Sequence, residues 1–137
     1  MLIGSCLCGG IHYQYDGEIT EVALCHCQQC RKAQGSAFAS NSPIESRLFT
    51  ITQGKKLLQS YYSSPSKKRV FCGQCGSPLY SQRDDLPEII RLRLGTLDSP
   101  IDCQPNYHIY AANKAEWWTI KDDLPQFDAQ KSSVCSQ

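Results

Sequence analysis

Seven of the nine cysteines fall in three short clusters. Cys6 and Cys8 flank Leu7 in GSCLCGG, Cys25, Cys27 and Cys30 share CHCQQCRK, and Cys72 and Cys75 share FCGQCG. Thiolates at such spacings are a metal-binding pattern. Zinc takes thiolate sulfur at about 2.3 Å in a tetrahedron, so one pair on a tight turn can be completed by a distant second pair. Cys6, Cys8, Cys72 and Cys75 then make a four-thiolate site. Cys25, Cys27 and Cys30 make a three-thiolate site with one corner free. A closed zinc site is structural, and an open one can do chemistry.

The competing readings are a disulfide framework, a redox pair and plain buried cysteines. An odd cysteine count and a CxC spacing disfavour disulfides. Gly-Ser-Pro after Cys75 starts a turn, whereas a thioredoxin-type CxxC needs a helix there. The N-terminal MLIGSCLCGG has no basic segment and no apolar core of signal length. No apolar run approaches the roughly 20 residues of a membrane span. The expected location is therefore cytoplasmic, where thiols stay reduced and clustered cysteines favour metal.

The residues around the clusters carry their own expectations. Gly73 and Gly76 are expected to take positive backbone angles, in a turn that aims N–H groups at the sulfurs and lowers the thiol pKa. Gly9 and Gly10 are placed to do the same after Cys8. Arg31 and Lys32 follow the triplet directly and are placed to offset thiolate charge or attract an anion. His26 lies between two candidate ligands and is expected to point away from their metal. His12 reads as an ordinary strand residue. His108 reads as a hydrogen-bonded strand histidine, with lining of the site as the alternative. Cys103 and Cys135 stand alone and read as spare thiols.

The elements that must position these residues are mostly strands. Period-2 alternation or β-rich composition marks 11–15, 48–52, 57–62, 69–72, 79–81, 89–94 and 107–111. In IIRLRL, Arg91 and Arg93 alternate with Leu92 and Leu94. Turn signals separate the strands at Asp16-Gly17, Gln53-Gly54, Ser77-Pro78, Leu86-Pro87 and Ser99-Pro100. One helical turn is expected over 27–34, closed by Gly35. Residues 1–128 read as one zinc-binding domain and 129–137 as a loose C-terminal tail.

Composition sets outer limits. The chain has 137 residues, enough for one domain with a modest core. A formal net charge of +1 gives no electrostatic case for nucleic acid or a membrane surface. The basic runs Lys55-Lys56 and Lys67-Lys68-Arg69 read as solvated strand ends.

Together, GSCLCGGIHY, CHCQQCRKAQGSAF, FCGQCGSPLY, LGTLDSP, QPNYHIYAANKAEWW and DDLPQFD resemble the glutathione-dependent formaldehyde-activating enzyme family, which includes the centromere protein V relatives. The resemblance implies a mainly β, Mss4-like fold, or β-tent, of several small coiled antiparallel sheets around zinc. It implies a structural zinc on Cys6, Cys8, Cys72 and Cys75, and a second zinc at an active site on Cys25, Cys27 and Cys30. All seven positions are intact. The implied activity is that of a carbon–sulfur lyase working in reverse, condensing formaldehyde with glutathione or a related thiol. A non-catalytic Mss4-like zinc-binding or partner-binding module is the alternative. An enzyme calls for a pocket at the triplet. A partner-binding module calls for an exposed apolar patch of several hundred Å². The residues assign neither a general base nor an oligomeric state.

Overall fold

The structure is a computed structural model and describes residues 1–131. The end of the expected tail, with Cys135, lies outside the described residues. The strands are β1 (Leu2–Ser5), β2 (His12–Tyr15), β3 (Ala23–Cys25), β4 (Ala39–Glu45), β5 (Phe49–Gln53), β6 (Leu58–Ser64), β7 (Lys67–Cys72), β8 (Pro78–Arg83), β9 (Ile89–Arg93) and β10 (Tyr107–Ile109). They form a three-stranded sheet, β1-β2-β5, and a seven-stranded sheet, β10-β3-β4-β9-β8-β7-β6. All pairings are antiparallel except β10 with β3. The fold is thus mainly β, as the resemblance implies, with one small antiparallel sheet and one larger mixed sheet. Among the described residues no helix is long and apolar enough to cross a membrane.

Alternation builds the main core. Tyr13 and Tyr15 of β2 point inward, as do Ile90 and Leu92 of β9, and they meet Ile11, Ile44 and Leu79. Cys6 and Cys72 belong to this cluster, so the four-cysteine group lies against the core. Cys25, Cys30 and Ala39 form a second, smaller cluster.

The one α-helix among the described residues, α1 (Gln28–Gln34), stands where the sequence places it. Cys27 is its N-cap, and the Cys30 N–H donates to Cys27 Sγ at 3.3 Å. Gly35 ends it at φ +63 and donates its N–H to the Arg31 carbonyl. Strands β1, β3 and β4 were not marked by the sequence. β4 reads ASNSPIE, rich in poor strand formers. Its place between β3 and β9 makes it a strand. Its small side chains leave room for α1 and the triplet above it.

Directly paired residues of neighbouring strands share a face, and alternate residues of one strand do too. Ala23, Asn41 and Arg93 are paired in sequence across β3, β4 and β9. Arg91, Ser81 and Arg69 are paired across β9, β8 and β7. Cys25, Arg93, Arg91, Arg69 and Lys67 therefore occupy one face of the large sheet. Beyond β10 the chain folds back on itself: Phe127 donates its N–H to the His108 carbonyl, and Tyr110 donates its N–H to Ala129.

Candidate functional site

The first cysteine group joins the two sheets. Cys6 and Cys8 follow β1 of the small sheet, and Cys72 ends β7 of the large one. The four sulfurs of Cys6, Cys8, Cys72 and Cys75 all lie within 4.8 Å of one another. Cys6 and Cys8 are 3.5 Å apart, and Cys8 and Cys72 are 3.9 Å apart. A tetrahedron with metal–sulfur bonds of about 2.3 Å has sulfur–sulfur edges of about 3.8 Å. The donor set therefore fits a tetrahedral thiophilic ion such as zinc.

Its surroundings favour thiolates. The Ile11 N–H donates to Cys6 Sγ at 3.3 Å, the Gln74 N–H to Cys72 Sγ at 3.4 Å, and Gln74 Nε2 to Cys8 Sγ at 3.3 Å. Donors aimed at sulfur stabilise its anion. The Ser77 hydroxyl and N–H hold the Cys75 thiol down to about 5. The glycines divide differently from expectation. Gly9 and Gly76 take positive φ, whereas Gly10 and Gly73 do not. Those two are needed for space: a Cβ on Gly73 would sit 2.6 Å from Gln59 Cγ, and one on Gly10 would sit 2.6 Å from Leu57 Cδ1.

The second group is local. Cys25 ends β3, Cys27 caps α1 and Cys30 lies in its first turn. Their sulfurs lie within 4.8 Å of one another, and among the described residues no fourth Cys, His, Asp or Glu joins them. Cys25 and Cys30 are fully buried, while Cys27 is partly exposed. Hydrogen bonds from Cys25 and Cys27, then the charges of Arg93 and Arg69, push the Cys30 thiol well below its ordinary value. The donor set again suits zinc, which Cys25, Cys27 and Cys30 would hold through three thiolates.

His26 turns away from the sulfurs, as expected. Its Nε2 lies 2.8 Å from His108 Nδ1, and His108 Nε2 lies 3.0 Å from Asp122 Oδ2. Burial, then the charge of His108, pushes His26 down to about 4. The Asp122 carboxylate can only accept, so His108 Nε2 donates to it. Among the described residues, buried His26 Nδ1 has no hydrogen-bond partner. His108 is thus a hydrogen-bonded strand residue, and His12 lies exposed on β2. Cys103 is half-buried beside Asn106 and joins neither group.

Arg69 and Arg93, distant in sequence from Arg31 and Lys32, place their charge on the triplet. Both terminal nitrogens of Arg69 lie 3.8 Å from Cys30 Sγ, and its Nε donates to Ser63 Oγ at 3.0 Å. Arg93 donates to Asn41 Oδ1 at 2.7 Å and to the Arg91 carbonyl at 3.1 Å. Lys67, Arg69 and Arg93 are buried, at 5%, 9% and 4% exposure. Lys67 and Arg69 are therefore not solvated strand ends. β7 lies between β6 and β8, and its Lys67 and Arg69 share the face that carries the triplet. Burial lowers Lys67 to about 8 and Arg93 to about 10, so both remain cations at neutral pH. Their alternation in KKRV and IIRLRL was the available signal. Lys32, by contrast, is exposed.

Two hollows flank this region. One of about 290 Å³ is lined by Arg69 and Arg93 with Tyr61, Phe71 and Tyr80. The other, an open groove of about 630 Å³, is lined by Trp117, Trp118, Thr119, Lys121 and Asp122. Trp118 contacts Phe38, and Phe38 contacts the His26 ring.

Comparison with known proteins bears on family and fold. A lyase of Schizosaccharomyces pombe, itself uncharacterised, is 33% identical over 82 residues, which cover 56% of this chain and 54% of that protein. The chain thus spans about half the length of this curated relative. A solved structure of a Rhodobacter sphaeroides protein superposes with a TM-score of 0.60 at 22% identity, covering 73% of this chain and 91% of that one. That likeness concerns the fold alone. The family model described as glutathione-dependent formaldehyde-activating enzyme matches residues 1–113, a span that contains all seven clustered cysteines. The chain belongs to the glutathione-dependent formaldehyde-activating enzyme family.

Proposed function

We propose that the protein is a zinc-dependent carbon–sulfur lyase that joins a small aldehyde, such as formaldehyde, to glutathione or a related thiol. Cys6, Cys8, Cys72 and Cys75 hold a structural zinc in this reading. Cys25, Cys27 and Cys30 hold the second zinc, at the active site. The observation that carries the proposal is the three-sulfur group with no fourth protein ligand among the described residues. Family membership and the lyase name of the yeast relative support it.

Zinc at the triplet would supply charge to activate a thiol and to polarise an aldehyde oxygen. The protein's own residues do the rest. Cys25 and Cys30 lie sealed in the small cluster, and Cys27 is the partly exposed sulfur beside which a substrate can approach. Arg69 and Arg93 set a positive field there. In the reaction the thiol sulfur bonds to the aldehyde carbon, the C=O π bond opens, and the thiol proton ends on oxygen. No oxidant or reductant is required.

Trp117 and Trp118 favour a second reading, a partner-binding module, because both are exposed beside an open groove. Calorimetric titration of zinc-loaded protein with glutathione separates the two. Binding that disappears on blocking the thiol supports the lyase. Absence of any thiol binding favours the module.

A further inference from the structure

We infer that the outer edge of β6 is an interface at which two copies of this chain pair antiparallel and join their large sheets.

The two ends of the large sheet differ. At one end β10 is covered: His108 donates its N–H to the Pro125 carbonyl, and its own carbonyl accepts from the Phe127 N–H. At the other end stands β6, seven residues reading LQSYYSS. One bond fixes which of its backbone groups face out. The Gly73 N–H donates to the Leu57 carbonyl, so Leu57, Gln59 and Tyr61 turn their backbone groups toward β7. Leu58, Ser60 and Tyr62 turn theirs outward. Among the described residues no backbone hydrogen bond covers these outward groups. The strand becomes irregular past Tyr62, where the Ser63 carbonyl accepts from Gln29 Nε2. The uncovered stretch is therefore 58–62.

Edge strands are normally guarded against pairing by charges, prolines or short length. β6 has neither a charge nor a proline between Leu58 and Ser64. Gln59, Ser60, Tyr61 and Tyr62 are all exposed, Tyr61 at 66%. Such a row of free N–H and C=O groups is a template for another strand.

Symmetry selects a second copy as that strand. A two-fold pair needs a patch complementary to itself. The outward groups of Leu58, Ser60 and Tyr62 match their own copies when the axis passes beside Ser60. Leu58 of one copy then faces Tyr62 of the other, Gln59 faces Tyr61, and the two Ser60 residues meet. Lys56, just before the strand, falls opposite Ser64 rather than another lysine. No like charges oppose each other along the junction. About six backbone hydrogen bonds close it. So short a junction makes a weak dimer, whose population follows concentration.

Sedimentation velocity of the zinc-loaded full chain, from micromolar to millimolar concentration, tests the pairing. The wild type should shift from monomer toward dimer as concentration rises. Ser60→Pro removes an outward N–H that β7 does not use, a change tolerated on an edge strand. It should melt like wild type and stay monomeric throughout. Ser60→Lys sets two like charges opposite each other at the axis and should stay monomeric too. It decides the matter where the proline variant does not fold. A wild type that is monomeric at every concentration overturns the inference and leaves the edge to a strand of a different protein. A dimer that persists in a folded Ser60 variant also overturns it, by placing the contact elsewhere.

Discussion

His26 Nε2 and His108 Nδ1 lie 2.8 Å apart, and this bond ties the triplet turn to β10. The backbone repeats the tie, since the His26 N–H donates to the Ile109 carbonyl. Asp122 anchors the far side of His108. Replacing His108 with alanine would remove the one hydrogen-bond partner that the buried His26 ring nitrogens have among the described residues. A buried polar group left unsatisfied costs about 1–3 kcal/mol. His108→Ala should therefore melt several degrees lower, and the triplet should lose its metal faster to a chelator. A melting curve and a chelator-release rate check both. Wild-type values would show that the bond does not support the turn.

Metal content is the simplest count. Two separate sulfur groups, each within 4.8 Å, should carry about two zinc ions per chain. Elemental analysis of protein purified without chelator tests this. A value near one would leave the triplet without a firmly held ion. Iron in place of zinc would overturn the metal assignment.

Glycine substitutions separate space from backbone strain. Gly54 has φ +79, and a Cβ there would sit 2.0 Å from the Gly10 carbonyl oxygen. Gly35 has φ +63, but a Cβ there meets nothing within 4 Å. Gly35→Ala should cost about 1 kcal/mol, the left-handed backbone penalty alone. Gly54→Ala should cost clearly more, because β5 and the Gly10 segment must also separate. Urea unfolding of the two variants checks the order. Equal losses would show that Gly10 yields without resistance.

The cysteine clusters were legible because metal ligands obey local spacing. Cys27 to Gly35 was legible as a helical turn because its cap and its left-handed stop are written in adjacent residues. β4 was not, because Ala39, Asn41 and Ser42 become strand residues only through β3 and β9. Arg69 and Arg93 were hidden for a related reason. Alternation places each on a face, but only the sheet order brings that face under Cys30. The tie from His26 to His108 spans 82 positions and left no local mark.

The two cysteine groups should respond differently to loss of one ligand. Cys72 lies in the main core, and its group links the small sheet to the large one. A structural zinc site is absent from the unfolded chain, so its binding free energy is folding free energy. Cys72→Ser should therefore cripple folding, seen as loss of a cooperative melt. Cys27 belongs to a group confined to one turn. Its sulfur also caps α1 by accepting from the Cys30 N–H. Serine is itself a favoured N-cap, so Cys27→Ser can keep that bond while removing a metal ligand. The variant should fold, melt within a few degrees of wild type, retain about one zinc and lose thiol binding. Melting curves, elemental analysis and calorimetry with glutathione read the three effects separately. A Cys27→Ser protein that binds glutathione like wild type would show that the triplet does not engage the thiol. A Cys72→Ser protein that melts like wild type would remove the structural role of the four-cysteine group.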